Sequence, residues 1–281
     1  MAAHFAYQEE YEFALKLVQE VSQTFTPAFH SNKDIQTKSF GSDLVTKTDQ
    51  AVEAAIFSAI RTKYPSDNTI GEESSEGAIF DNRRTWIVDP IDGTTNFVHS
   101  NPECCICIGF TVDKTSKFGV IYCPILRDLY TGRRGFGAAL NGRPIRVSET
   151  TALNRALVST YVIPSKGMGL RESMESIQRV SGEREGCCHG LRLGGSSAIM
   201  ICQLAAGNVD GFWLEGLHIW DMAAAVVIAS EAGGVVISTV PGEEFDLTRR
   251  RVVVASTEQL AGEIRDRIVR APDDLFKREH C

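Results

Sequence analysis

Residues Trp86-Ile87-Val88-Asp89-Pro90-Ile91-Asp92-Gly93-Thr94-Thr95-Asn96-Phe97 gather several chemically useful side chains in one short stretch. Trp86 to Val88 reads as a short buried strand. Pro90 has no N–H to give a sheet and ends it. Asp89-Pro90-Ile91-Asp92 fits a β-turn with proline at its second position. A turn brings its first and fourth Cα atoms within about 7 Å, so two carboxylates would aim at one point past a strand end. Two such charges repel unless a cation lies between them. An all-oxygen donor set suits a hard cation, Mg²⁺ or Ca²⁺. Gly93 permits a tight backbone turn. Thr94 and Thr95 are placed to cap a helix whose N–H groups would receive an anion. Metal-assisted handling of a phosphate-type group is the chemistry these residues offer.

The same letters also serve an ordinary turn with solvated aspartates, because Asp, Pro and Gly are common turn residues. An EF-hand calcium loop needs Glu at position twelve, and counted from Asp89 that position is Ser100. As one string, Asp89 to Phe97 resembles the signature of the inositol monophosphatase family, the Mg²⁺-dependent, lithium-sensitive sugar-phosphate phosphatases. Gly71-Glu72-Glu73-Ser74 resembles a second family motif, although alone it reads as a solvated loop. Trp220-Asp221-Met222-Ala223-Ala224-Ala225 resembles a third, with Ala225 where the family often has Gly. Read alone, Asp221 is a dipole-stabilising residue at a helix start. Asp49 follows Leu44-Val45-Thr46-Lys47-Thr48. Capping of a helix, with Thr48 as N-cap, accounts for it without any catalysis. Lys38 matches a family lysine further upstream.

The resemblance implies an α/β fold, the layered αβαβα sandwich of the inositol monophosphatase and fructose-bisphosphatase type. It implies hydrolysis of inositol monophosphate to inositol and phosphate by a metal-activated water, with Mg²⁺ as cofactor and a homodimer as the assembly. The implied metal ligands are Glu72, Asp89, the carbonyl of Ile91, Asp92 and Asp221. Thr94, Asp49 and Glu72 are the implied catalytic residues, Thr94 and Asp49 orienting the attacking water. Substrate contacts are assigned to Ile91, Asp92, Gly93, Thr94, Thr95, Gly195, Ser196, Ser197, Glu215 and Asp221. A family glutamate lies two residues before the Gly of Gly-x-His-x-Trp-Asp. Here that position is Leu214, and Glu215 is its neighbour. If the strand continues through them, Glu215 faces away from the pocket; in a turn it would still reach inward. Two other readings stand beside this one. One is a sibling phosphatase acting on a bisphosphorylated nucleotide, fructose bisphosphate or histidinol phosphate. The other is a catalytically silent interaction protein on the same fold.

The elements that must position these residues are legible in the patterning. Tyr11, Ala14, Val18, Val21 and Phe25 recur at helical spacing over 7–25, and Pro27 ends that helix. Val52, Ile56, Ala59 and Ile60 mark a second, stopped by Pro65. Residues 104–110, 118–125 and 128–131 read as strands, the last two as a hairpin, and Gly132 to Gly137 as turns. Asn141-Gly142 marks another hairpin. Polar residues Ser148 to Thr151 suggest a boundary near 150, giving halves 1–150 and 151–281. The second half alternates strands (156–160, 188–193, 209–214, 235–237, 252–255) with helices (170–180, a helix capped by Gly194-Gly195-Ser196-Ser197 through Ala206, one from Asp221, and a last one capped by Ser256 with Gln259).

Composition sets the outer bounds. The chain has 281 residues, 43% hydrophobic and 23% charged, ordinary for a soluble globular protein. A net charge of −7 argues against nucleic-acid binding. No apolar run approaches the roughly 20 residues that span a bilayer, and no secretory signal is visible, so a cytoplasmic setting without membrane partners is expected. The partner expected is a small phosphate monoester. Eight cysteines at these spacings match neither a disulfide framework nor a Cys-x-x-Cys zinc site, and read as buried small hydrophobes. His218 reads as a hydrogen-bonded loop histidine.

Overall fold

A computed structural model describes residues 5–32, 35–37, 44–74, 78–162, 169–182 and 186–272. Lys38 lies outside them. The main sheet has seven strands in the order β3-β4-β5-β6-β7-β8-β9. They are β3 (Asn68–Gly71), β4 (Thr85–Asp92), β5 (Cys105–Val112), β6 (Thr115–Cys123), β7 (Asp128–Arg133), β8 (Gly137–Leu140) and β9 (Arg143–Ile145). A pair, β1 (Ile35–Thr37) and β2 (Leu44–Thr46), precedes it. The second sheet runs β11-β10-β12-β14-β13, from β10 (Leu157–Thr160), β11 (Gly190–Leu193), β12 (Gly211–Glu215), β13 (Val235–Ile237) and β14 (Arg251–Ala255).

Helices fill three layers around the two sheets. On one face of the main sheet lie α1 (Gln8–Phe29) and α2 (Lys47–Lys63), packed through Phe25, Val52 and Ile56 onto Trp86, Ile106 and Phe118. Between the sheets lie α5 (Ser197–Ala205) and α6 (Ile219–Glu231), packed against Ile87, Cys107 and Ile121 on one side and Phe212, Leu214 and Val254 on the other. On the far face of the second sheet, α7 (Glu258–Arg265) packs Leu260 and Ile264 against Val158 and Trp213, while α4 (Leu170–Ser181) contributes Val180. A short α3 (Thr94–Val98) follows β4 directly. The αβαβα layering matches the sequence expectation.

Several local readings are corrected. Pro27 lies inside the last turn of α1, which runs on to Phe29; so near the end, the missing N–H costs a single intrahelical bond. Pro90 does not end a strand, and Asp89 to Asp92 is not a turn, because all four belong to β4. The register against β5 shifts between them, pairing Asp89 with Cys107 and Asp92 with Cys105. Three steps on β4 thus face two on β5, a β-bulge. β3 pairs no further than Val88, so the donor Pro90 lacks faces no ladder. Thr46, not Thr48, caps α2, and Thr257, not Ser256, caps α7. The turn reading of 132–137 holds only between β7 and β8, since Gly132 and Gly137 are strand residues.

The seat of α6 is a row of glycines. Gly109 pairs with Gly119 and Gly119 with Gly132 across three adjacent strands. A Cβ on Gly109 would lie 2.9 Å from the Ala223 Cβ, and one on Gly132 would lie 2.7 Å from the Ile228 Cα. A Cβ on Gly119 would collide with the Ala224 carbonyl oxygen. The helix backbone therefore rests on the sheet with no side-chain layer between, which fixes the depth of its N-terminus. Overpacking a seat this tight costs about 2 kcal/mol or more. Gly119→Ala is expected to lower the urea midpoint accordingly; an unchanged midpoint would show that α6 does not bear on the sheet there.

Candidate active site

Asp89 and Asp92 are three residues apart, an odd step that would point them to opposite faces of a regular strand. The bulge supplies the extra residue that turns both to the inner face, while Ile91 is buried on the outer one. Gly93, left-handed at φ 86°, then starts α3 as its N-cap, so Thr94 and Thr95 are helical residues rather than caps. Asp221 arrives from the other side, at the third position of α6, where its carboxylate accepts the His218 N–H at 2.5 Å. Asp89, Asp92 and Asp221 each offer an oxygen, and these oxygens lie within 4.8 Å of one another. Gly71, which precedes Glu72, pairs with Val88, which precedes Asp89. Glu72 follows β3 there and raises the Asp89 carboxyl through its charge.

Two of these acids are nearly free of solvent. Asp89 is 1% exposed and Asp92 5%. Burial pushes the Asp89 carboxyl well above its ordinary value, and Glu72, Asp92 and Asp221 add to the push. Burial likewise raises Asp92, with Cys105 and Asp221 adding, while hydrogen bonds from Ser196 and the Ala198 N–H pull it back. Such a set is unstable as bare carboxylates and fits a hard cation, which neutralises the repulsion and prefers oxygen donors.

The supporting contacts are specific. Asp49 is fully buried and accepts from the Thr46 N–H at 2.9 Å and the Thr46 hydroxyl at 2.5 Å. Its other oxygen lies 3.3 Å from the Thr94 hydroxyl, which is also 3.0 Å from the Ile91 carbonyl. Asp49 therefore both completes the capping box of α2 and meets Thr94. Ser196 caps α5 and hydrogen-bonds Asp92, and the Ala198 N–H donates to the same carboxylate oxygen at 2.9 Å. The start of α5 thus holds Asp92 by one N–H and one hydroxyl. Gly195 faces Asn96, whose amide donates to the Glu103 carbonyl at 2.7 Å; a Cβ on Gly195 would lie 2.8 Å from that amide. Ser197 is buried in the first turn of α5.

Glu215 completes β12, and its carboxylate accepts from the Thr239 hydroxyl at 2.6 Å and the Ala271 N–H at 2.7 Å. It stands on the Trp213 face, opposite Leu214, which is buried among α5 and α6. The strand continues, so Glu215 is not gathered with the aspartates. His218 stacks on Trp220 with ring centres 4.5 Å apart, and its Nε2 lies 2.8 Å from the Arg250 guanidinium, as a hydrogen-bonded loop histidine should.

Sequence reasoning missed Glu53 and Tyr161. The Glu53 carboxylate accepts the Glu73 N–H at 2.8 Å and so pins the turn that carries Glu72. It sits on the buried side of α2, and an acid at helical spacing from Ile56 and Ile60 is the signal that could have found it. Tyr161 follows β10, where burial raises its phenol and the nearby Thr95 side chain pulls it back; a single tyrosine after a strand carries no signal.

Residues 6–271 match the inositol monophosphatase family. The chain belongs to that family. It is 42% identical over 259 residues to inositol monophosphatase 2 of Homo sapiens, with 91% of this chain and 88% of the relative covered. It is 40% identical over 265 residues to inositol monophosphatase 1 of Rattus norvegicus, covering 92% and 93%. Its fold overlays the crystal structure of extragenic suppressor protein suhB from Bartonella henselae with a TM-score of 0.83 at 28% identity, covering 92% and 98%. The long family match spans every motif described above, from Asp49 to Asp221.

The buried repulsion has a thermodynamic sign. The folded Asp89 carboxyl binds its proton more tightly than the unfolded one, whose ordinary value is 3.8. In metal-free protein that preference stabilises the fold at acid pH, and it is lost as pH rises from the ordinary value through the raised one. Asp89→Asn keeps the oxygen that accepts the Ile91 N–H, 3.0 Å away, and removes the charge. Metal-free Asp89→Asn is expected to melt at or above the parent at neutral pH, and Mg²⁺ to raise the Tm of the parent alone. A lower Tm with an intact Mg²⁺ response would contradict the reading.

Proposed function

We propose that this chain is a Mg²⁺-dependent phosphomonoesterase that hydrolyses inositol monophosphate to inositol and phosphate. The convergence of Asp89, Asp92 and Asp221 beside the start of α3, in a chain of this family, carries the proposal. Glu72, Asp89, the Ile91 carbonyl, Asp92 and Asp221 are the residues that would hold Mg²⁺. Bound there, Mg²⁺ supplies charge neutralisation for the phosphate oxygens and a more acidic water.

The chain's own groups do the positioning. The backbone N–H groups of Gly93, Thr94 and Thr95 receive phosphate oxygens, and Asp221 also meets the substrate. Asp49, clamped by Thr46, takes the Thr94 hydroxyl proton as a hydrogen-bond acceptor. Thr94 then turns a lone pair toward the attacking water and orients its oxygen on phosphorus. Glu72 stands beside the same water as a further acceptor. Gly195, Ser196 and Ser197 form the wall opposite α3, with Ser196 also steadying Asp92. Phosphoryl transfer asks for little beyond such positioning and charge neutralisation. Lithium inhibition, a homodimeric assembly, two halves meeting near residue 150 and a cytoplasmic setting complete the proposal. Among the described residues no helix is long and apolar enough to cross a membrane.

Phosphate release from inositol 1-phosphate, glycerol 2-phosphate, a hexose 1-phosphate, fructose bisphosphate, histidinol phosphate and a bisphosphorylated nucleotide, with and without Mg²⁺, tests the assignment. Inositol 1-phosphate is expected to have the highest kcat/KM, and only with Mg²⁺. Preference for another member of the panel would move the chain to a sibling activity, and no turnover at all would overturn the enzyme reading. Thr94→Ala is expected to lower kcat by roughly 10²-fold, the range for a positioning or general-base group. A rise in KM at unchanged kcat would place Thr94 in ground-state binding instead. Glu215→Ala is expected to leave the preference among these substrates unchanged and to lower Tm, because its carboxylate ties β12 to Ala271; a sharp loss of inositol 1-phosphate preference would return Glu215 to the pocket.

A further inference from the structure

Cys105 and Cys107 are two residues apart on β5, so both thiols point to the inner face of the main sheet. The β4 bulge pairs them with Asp92 and Asp89. The Cys105 sulfur lies 3.7 Å from the Cys107 sulfur and 3.8 Å from the Asp92 Oδ2. Ligand atoms of Asp92, Cys105 and Cys107 all lie within 4.8 Å of one another. In a tetrahedral zinc site, bonds of about 2.3 Å to sulfur and about 2.0 Å to oxygen separate two sulfurs by about 3.8 Å and a sulfur from an oxygen by about 3.5 Å. The sulfur–sulfur span of 3.7 Å in this protein is that of a tetrahedral edge, and the sulfur–oxygen span of 3.8 Å is about 0.3 Å longer than one, a gap that a small side-chain rotation closes. The Ser196 hydroxyl, 3.7 Å from the Cys105 sulfur, and the Cys123 thiol flank the position and offer a fourth donor. The spacing Cys-x-Cys carries no zinc signature along the chain; the third ligand comes from the neighbouring strand.

From this geometry we infer that Asp92, Cys105 and Cys107 form a second cation site, selective for a thiophilic divalent ion of the Zn²⁺ or Cd²⁺ class. The cation takes the places of the two thiol protons, which leave to solvent as the metal–sulfur bonds form. Thiolate donors exclude Mg²⁺ and Ca²⁺, which favour oxygen. Asp92 belongs to both donor sets, so a thiophilic ion held by the thiols withdraws it from the oxygen-lined site and inhibits. That consequence rests on the proposed phosphatase activity; occupancy of the site does not.

The test is a Cd²⁺ titration of the reduced, metal-free full chain, followed by ultraviolet sulfur-to-cadmium charge-transfer absorption. A band saturating at one equivalent is expected. In Cys105→Ala and in Cys107→Ser, whose folding is checked by circular dichroism, the band should fall and the binding weaken by at least about tenfold. The double variant Cys187→Ser/Cys188→Ser, which removes the two partly exposed thiols among the described residues, should titrate like the parent. In parallel, the Cd²⁺ needed to halve Mg²⁺-supported phosphate release should rise at least about tenfold in Cys105→Ala. A band that survives in both strand variants, or that vanishes in Cys187→Ser/Cys188→Ser, overturns the inference. If the chain releases no phosphate, the absorption series still decides it.

Discussion

Three carboxylates drawn within 4.8 Å of one another, two of them nearly solvent-free, form the constraint around which this structure is arranged. Left bare, they repel in a medium that screens poorly. Each is therefore delivered by a rigid device. The β4 bulge turns Asp89 and Asp92 to one face. The start of α5 grips Asp92 through Ser196 and Ala198. The glycine row sets how deeply α6 can sit, and hence where Asp221 stands. None of these devices relieves the repulsion. They hold the acids in place for a charge that comes from outside the chain.

Much of this was legible in the sequence because its signals are local. Helical spacing in 7–25, the hairpin at Asn141-Gly142 and the Gly194 to Ser197 cap needed only neighbours along the chain. The motifs at 71–74, 89–97 and 220–225 named the acids. What failed was geometry decided by partners far away in sequence. Asp-Pro-x-Asp reads as a turn in isolation, yet pairing with Cys105 and Cys107 draws it into a bulged strand. The cap of α2 is the local exception: Thr48 looks as good a cap as Thr46, but only Thr46 sits where Asp49, three residues on, can answer it. Ser196 reads as a helix cap and substrate contact, and its hydroxyl also turns out to steady a carboxylate from the other half of the chain. Glu215 was ambiguous until the strand was seen to continue and Thr239 and Ala271 to take its oxygens.

Cys105 shows where a compositional argument runs short. A buried cysteine normally counts as a small hydrophobe, and Cys202 in the layer between the sheets behaves as one. Cys105 is equally buried, yet its sulfur meets Asp92, Ser196 and Cys107. The polar site thus has a soft underside, and Asp92 is the group that faces both ways.

The Asp89, Asp92 and Asp221 oxygens converge as a hard divalent cation requires. Anomalous diffraction from crystals of the full chain grown in Mn²⁺, recorded at the manganese edge, tests this most directly. An anomalous peak bonded to oxygens of all three aspartates is expected, lost in Asp92→Asn crystals grown in the same way. Manganese bound elsewhere, with none among these three side chains, would contradict it.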